Sequence, residues 1–396
     1  MTARNALELF AVTAPGIEAI TATELGALGV QCTVESGGIS FTGQLANLYA
    51  ANLHLRTASR ILLRLGHFQA TAFHELERNA RKLVWGRTIA AGDSVRVRVT
   101  CRKSRLYHSD AVAERILAAI DRSVGGVTAL PGGGDDDATD ATLASVESEG
   151  RDPGPLVVVR IVHDRVIVSA DTSGALLHLR GYRQAIGKAP LRETLAAAML
   201  LASGWDPATP LVDPMCGSGT IAIEGALLAR RLAPGLGRRF AFQRWPDFDA
   251  SVWDALVERA QAMSLAATPA PIVAMDRDAG AVAATSANAG RAGVAPDVEA
   301  ACAPLSDARP PNAAGGRPGA IVTNPPYGAR LGDRRALRDL YARLGQVCRA
   351  GFPGWIVALL SADRRLESQL RLDLAERFRT YNGGIPVRLL AGPIPG

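Results

Sequence analysis

Lysine is nearly absent from this chain: of 44 basic residues only Lys82, Lys103 and Lys188 are not arginine. A formal charge of +6 suits a polyanionic partner such as a nucleic acid. An arginine excess of this kind also follows from genome composition, so charge alone argues for such a partner only weakly. Cysteine is scarce and scattered: Cys32, Cys101, Cys216, Cys302 and Cys348 form no CxxC pair. That excludes a zinc ribbon and a disulfide framework, fits a reducing compartment, and leads us to expect no metal site. No run of eighteen uncharged apolar residues is present, which argues against a membrane-spanning helix. The stretch Met1 to Glu8 lacks the layout of a secretory signal, so a cytoplasmic protein is expected. Internal repeats are not apparent.

What is present is a chain of 396 residues, 48% hydrophobic, long enough for two or three domains. Residues 1–60 read as a small α+β unit: helical spacing of Ile17, Ile20, Leu25 and Leu28, a strand at 30–34, a Ser36-Gly37-Gly38 turn, then a helix from Leu45 to Leu53. Residues 61–172 read as a second unit, with strands at 61–68, 94–100, 156–161 and 165–170 and a helix at 110–122. In Ser94 to Thr100 valine alternates with arginine, so Arg96 and Arg98 are expected on one face, with Arg102, Lys103 and Arg105 beyond the strand end near Tyr107 and His108. Such a face could track a phosphate backbone; an ordinary solvated edge strand would look the same. Residues 125–154, rich in Gly, Asp, Ser and Thr, read as a disordered insertion. Residues 173–190 form a linker. From residue 191 to 396 strands and helices alternate, with strands expected near 210–213, 272–276, 298–302, 320–323 and 355–360, which predicts a parallel sheet flanked by helices. The end of the chain differs. Asn382-Gly383 lies between two strand-like runs and predicts an antiparallel hairpin.

Two motifs carry chemistry. In the first, the apolar Leu211-Val212 ends at Asp213, then Pro214-Met215-Cys216-Gly217-Ser218-Gly219-Thr220 opens an Ala/Leu-rich helix. Gly217 and Gly219 permit a tight turn and close ligand approach, and the helix start presents free N–H groups. Gly217, Gly219 and Ala222 also satisfy G-x-G-x-x-G/A, so the turn by itself serves a nicotinamide cofactor or S-adenosylmethionine alike. Asp213 favours the latter, because a carboxylate suits an ammonium group and repels a pyrophosphate. Cys216 reads as a small packing residue within the turn. A further strand, Ile272 to Asp276, ends in an acid placed to accept ribose hydroxyls, whereas Asp278 reads as the start of the next helix. The interval from turn to acid is unusually long because residues 231–266 intervene.

The second motif is Asn324-Pro325-Pro326-Tyr327, after the apolar Ala320-Ile321-Val322 and before Gly328. The Asn324 side-chain oxygen and the Pro325 carbonyl are two acceptors that one exocyclic –NH₂ satisfies together. Tyr327 offers a ring face for a base, a contact of roughly 1–3 kcal/mol. The prolines restrict the backbone so that the acceptors are fixed in advance. No His lies near either motif, which fits a reaction that needs no strong base before attack.

These residues, with Arg180-Gly181-Tyr182-Arg183 and Ala189-Pro190-Leu191-Arg192-Glu193-Thr194, resemble the THUMP-domain class I RNA methyltransferases of the RlmL type, the 23S rRNA guanine-N2 methyltransferases. The resemblance extends over nearly the whole chain and is most specific between residues 180 and 332. It implies an α/β class I methyltransferase sheet with a terminal antiparallel hairpin, preceded by a ferredoxin-like unit and a THUMP module. It implies S-adenosylmethionine as cofactor and RNA as partner, with no membrane association and a monomeric state. By the same resemblance Asp213, Cys216, Gly217, Ser218, Gly219 and Thr220 line the methionine part of the cofactor, and Asp276 holds the ribose. Pro190, Leu191 and Glu193 close over it, and Asn324, Pro325, Pro326 and Tyr327 hold the base, Asn324 also bordering the cofactor. The chain departs from the family at the end of the third strand, where Glu299 to Pro304 lacks the usual acid for the adenine amine, leaving backbone groups or Asp307. Long-chain members carry a second methyltransferase domain that this sequence does not reach. A tRNA guanine methyltransferase would show nearly the same motifs. The rivals from other classes are an inactive RNA-binding scaffold, against which the intact motifs argue, and a nicotinamide oxidoreductase, which leaves NPPY unexplained. If the halves divide their labour, deleting residues 1–172 should leave cofactor binding intact.

Overall fold

The computed structural model describes residues 6–130, 154–184, 191–312, 316–327 and 334–396. Pro190 and most of the 125–154 segment lie outside them.

The N-terminal half forms one eight-stranded sheet. Its strands are β1 (Leu7–Thr13), β2 (Cys32–Glu35), β3 (Gly38–Gly43), β4 (Ala58–Gln69), β5 (Ser94–Arg102), β6 (Thr128–Leu130), β7 (Leu156–Val162) and β8 (Arg165–Asp171), in the order β2-β3-β1-β4-β8-β7-β5-β6. The twelve-residue β4 straddles position 60/61 and pairs with β1 on one side and β8 on the other, so the two expected N-terminal units share a sheet. β6 corrects the lower limit of the expected insertion: Thr128–Leu130 pairs in parallel with Ser94–Arg96. β5 is therefore not an edge strand in this sheet; it runs between β6 and β7.

The C-terminal half holds β9 (Leu211–Asp213), β10 (Ile272–Asp276), β11 (Val298–Cys302), β12 (Ala320–Thr323), β13 (Ile356–Ser361), β14 (Ala375–Asn382) and β15 (Ile385–Pro393), in the order β11-β10-β9-β12-β13-β15-β14. The first five pair in parallel; β15 is antiparallel to β13 and β14. The central strands β9, β12 and β13 are buried on both faces. Leu211, Ala320, Val322, Ala358 and Leu360 join one core, while Val212, Ile321, Val357 and Leu359 join the other. This is the class I methyltransferase sheet with its terminal hairpin. The reversal of order lies between β9 and β12, so both motifs emerge side by side at the carboxyl ends of adjacent strands. The hairpin register pairs Asn382 with Ile385, so the loop is Gly383-Gly384, one residue later than expected. Their φ values of +55° and +80° suit a turn with two left-handed residues.

The long interval before Asp276 has a structural purpose. Residues 233–260 reach back to the N-terminal sheet, where Phe240, Phe242, Trp245 and Trp253 share a core with Leu48, Tyr49 and Leu53. Tyr49 stacks on Phe242 at 4.4 Å and meets Trp253 edge-on at 6.2 Å. Deleting residues 1–172 would uncover this aromatic cluster, so the halves do not separate as the motifs suggested.

Candidate active site

Asp213 ends β9 and is 1% exposed. Its Oδ1 accepts from Thr323 Oγ1 at 2.7 Å and from Met215 N at 3.3 Å. The Thr323 contact ties the first motif to the residue preceding Asn324. No cation lies against Asp213 among the described residues. Burial, with a smaller push from the charge of Asp276, raises its carboxyl to about 7 despite these hydrogen bonds.

The glycine turn is fastened from outside. Cys216 N donates to Met275 O at 2.8 Å, and Gly217 N donates to Asp276 Oδ2 at 3.0 Å. From the helix Ala279–Arg291, Thr285 Oγ1 donates to Gly217 O at 3.0 Å and Asn288 Nδ2 to Ser218 O at 2.9 Å. Gly219, at φ +83°, begins the helix Thr220–Ala229, and a Cβ there would sit 2.6 Å from Thr285. A Cβ on Gly217, by contrast, would meet nothing within 4 Å. That side of the turn is open, and Asp276 flanks it. Burial pushes the Cys216 thiol up to about 12, so it stays a neutral packing residue, with Sγ 3.5 Å from Thr285 Oγ1. Asp276 braces the turn with one oxygen and takes Asp278 N at 3.0 Å on the other. Asp278 itself caps the next helix, accepting from Gly280 N at 2.7 Å.

The junction Arg180 to Arg183 lies along the helix that the turn begins. Arg180 Nε donates to Glu224 Oε1 at 2.8 Å and Tyr182 Oη to the same oxygen at 3.1 Å. Arg183 donates to Thr220 Oγ1 at 3.0 Å and to the Leu191 carbonyl, and pairs with Glu193 at 3.3 Å. Glu193 is 3% exposed, and burial raises its carboxyl to about 7. Thus Leu191, Glu193 and Thr220 come together around one guanidinium. Thr285 and Asn288 escaped the sequence reading, which quoted Arg183 without giving it a role; an Asn/Thr pair three apart on the helix after Asp276 was the available signal.

In the second motif Asn324 is half-buried, and its Oδ1 is inaccessible to solvent with no hydrogen-bond partner among the described residues. Such an orphaned acceptor is costly unless a ligand supplies the donor. Pro325 is buried and Pro326 partly so. Tyr327 is half-buried against the core, its hydroxyl accepting from Asn382 Nδ2 at 2.7 Å. Burial pushes its pKa up.

At the third strand end, Cys302 stands level with Asp276 and is exposed, and Asp307 lies in the following short turn, also exposed. The basic strand face needs correction. Arg96 is 5% exposed and donates to the Gly154 carbonyl at 3.1 Å, and Arg98 is half-buried. Arg96 therefore presents no solvated guanidinium to a phosphate chain, and the Nε and one terminal nitrogen of Arg98 are shielded from solvent. Arg102, Lys103 and Arg105 are exposed, beside Tyr107 and His108, whose rings lie 4.0 Å apart.

The open side of Gly217, a buried Asp213 without a cation, and an acid on the adjacent strand fit the amino-acid and ribose parts of S-adenosylmethionine. The comparisons agree. Residues 180–391 match an RMKL-like methyltransferase domain and residues 8–62 an RlmL ferredoxin-like domain. A Synechocystis protein, slr0064, which carries the name of an RNA methyltransferase, is 34% identical over 96% of this chain and 95% of its own length. The ribosomal RNA large subunit methyltransferase K/L of Methylococcus capsulatus is 35% identical over 96% of this chain but only 50% of that protein, so the chain spans about half of that relative. Among solved structures, SMU.472, named as a methyltransferase and bound to S-adenosylhomocysteine, has a TM-score of 0.84 and 29% identity and covers 100% of this chain and 99% of its own. A Listeria monocytogenes protein named as a predicted N6-adenine-specific DNA methylase has a TM-score of 0.83 and 31% identity, covering 99% of this chain and 97% of its own. S-adenosylmethionine is therefore the cofactor, and the chain belongs to the RMKL-like methyltransferase family.

Proposed function

We propose that this protein methylates the exocyclic N2 amine of a guanine in RNA, with 23S rRNA as the substrate. The observation that carries the reading is the orphaned Asn324 Oδ1 at the strand end beside Asp213. An amine placed there donates one hydrogen to Asn324 Oδ1 and the other to the Pro325 carbonyl. Both N–H bonds are then held, and the nitrogen lone pair points away from the acceptors. When bound, S-adenosylmethionine supplies an electrophilic methyl group. Asn324 and Pro325 would hold the amine in line for that transfer, and the proton that the nitrogen then sheds would pass to solvent. Rate enhancement then comes from alignment rather than from a general base. Asp213 takes the ammonium of the cofactor, Asp276 its ribose hydroxyls, and the Arg183-held pair Leu191 and Glu193 covers them. Tyr327 stacks on the target base once it has left its helix.

The names of the full-length and half-length relatives support RNA, and the second supports rRNA. Guanine is the family expectation; adenine N6 presents the same pair of hydrogens to Asn324 and Pro325. Exposed Arg102, Lys103 and Arg105 next to Tyr107 would serve as the RNA-positioning patch of a THUMP module spanning residues 61–172, with an N-terminal unit before it and the catalytic domain from residue 191. The test is mass spectrometry of rRNA and tRNA nucleosides from a strain lacking this gene, followed by mapping. Loss of one N2-methylguanosine in 23S rRNA is expected. Loss of N6-methyladenosine, or of a tRNA modification instead, would replace the substrate assigned here.

A further inference from the structure

We propose that Asn382, at the tip of the β14–β15 hairpin, is a positioning residue that presets the Tyr327 ring for stacking on the target base. The proposal rests on the reading of Tyr327 as the stacking residue. Tyr327 follows β12 on a loop, so its ring is fixed by its backbone at one end only. Its far end is held by Asn382 Nδ2, 2.7 Å from the phenol oxygen and 55 residues away in sequence.

The donor stands on a rigid element. Asn382 is the last residue of β14 and is paired with Ile385 across the two-residue loop. Gly383 and Gly384, both at positive φ, allow the strand to end there without strain. Phe378, Val387 and Leu389 root the hairpin in the same core against which Tyr327 and Ile385 pack. The ring is therefore held by packing along its length and by a hydrogen bond at its tip. Its torsional freedom is lost during folding, not when the base arrives, which lowers the entropic penalty of stacking. Among the described residues no other side chain bonds this hydroxyl, so among them the hairpin tip is what holds it.

The test uses the full chain, an unmodified 23S rRNA transcript and S-adenosylmethionine, with Asn382→Ala, the similarly sized Asn382→Leu, Tyr327→Phe and the Asn382→Ala/Tyr327→Phe double variant. Each single variant should lower kcat about tenfold, the worth of one hydrogen bond, with KM for RNA and cofactor affinity within about twofold. The double variant should be no worse than either single one, because both remove the same contact. A second readout needs no substrate: with ¹³C-labelled tyrosine, the Tyr327 ring resonance, assigned by its loss in Tyr327→Phe, should report slowed ring motion in the native protein and faster motion in Asn382→Ala and Asn382→Leu. Native turnover in both Asn382 variants, or additive losses in the double variant, would overturn the proposal. If the native protein leaves the transcript unmethylated, the functional reading fails, and the ring resonance decides alone: identical ring motion with and without Asn382 overturns the positioning role.

Discussion

Two aspartates occupy equivalent places in the two sheets and lead opposite lives. Asp171 ends β8 and Asp213 ends β9, and they are 2% and 1% exposed. Asp171 has its own cation: Arg60, itself buried, pairs with it, and the backbone N–H groups of Ser173 and Gly174 donate to its two oxygens at 3.0 and 3.1 Å. Asp213 has a hydroxyl and one amide, and no cation among the described residues. A buried carboxylate with its counter-charge built in is complete and serves the fold. One without it is destabilising in the empty protein and leaves room for a cationic ligand. Asn324 repeats the second pattern with a neutral group, as an acceptor that no described residue satisfies.

The largest effect should come from Asn324→Ala. Its oxygen orients the amine chiefly in the transition state, so turnover should fall by at least about a thousandfold while cofactor affinity changes by a few-fold at most. Comparable turnover would remove Asn324 from the chemistry. Next is the exchange of roles between the aspartates. Asp171→Asn should destabilise the protein by about 3–5 kcal/mol, by stranding Arg60, and leave the cofactor affinity of the folded fraction unchanged. Asp213→Asn should do the reverse, weakening cofactor binding about ten- to a hundredfold while raising the melting temperature of the ligand-free protein. If both variants behave alike, the contrast drawn here is wrong.

A smaller effect concerns pH. The folded Asp213 and Glu193 carboxyls both lie near 7, above their ordinary values of 3.8 and 4.5. Between those limits the folded state holds more protons than the unfolded one. Their contribution is therefore full at low pH and is lost as pH rises through about 7. Urea denaturation of the ligand-free protein at pH 5 and pH 7.5 should show that decline, and Asp213→Asn should reduce it. The smallest effect is electrostatic: replacing Arg102, Lys103 and Arg105 by Ala should lower the salt slope of RNA binding by about 2–3, if all three meet phosphates. Replacing buried Arg96 should instead appear as lost stability.

Most of the second sheet was legible in the sequence, because buried parallel strands are short apolar runs with acids or turns at their ends. All five parallel strands fall within a residue or so of their expected limits. β1 escaped because the consecutive buried Leu9, Phe10 and Ala11 interrupt its alternation, and β6 because three residues carry little signal. Arg96 misled for the opposite reason. Alternation correctly placed the valines on one face but said nothing of what covers the other. The two motifs were readable because each keeps its chemistry within a few consecutive residues. The groups that hold them, Arg183, Thr285, Asn288 and Asn382, come from separate elements and become visible only when the chain is folded.

Asp213 is left without a cation among the described residues so that a cationic ligand can supply one. Calorimetric titration of S-adenosylmethionine into the native protein and Asp213→Asn, at several pH values between 5.5 and 7, tests this directly. Binding the ammonium requires the ionised carboxylate, so native affinity should rise with pH across this range, approaching tenfold per unit at its acid end. The Asp213→Asn protein should bind more weakly with almost no such slope. Equal affinities and equal slopes in the two proteins would contradict the account.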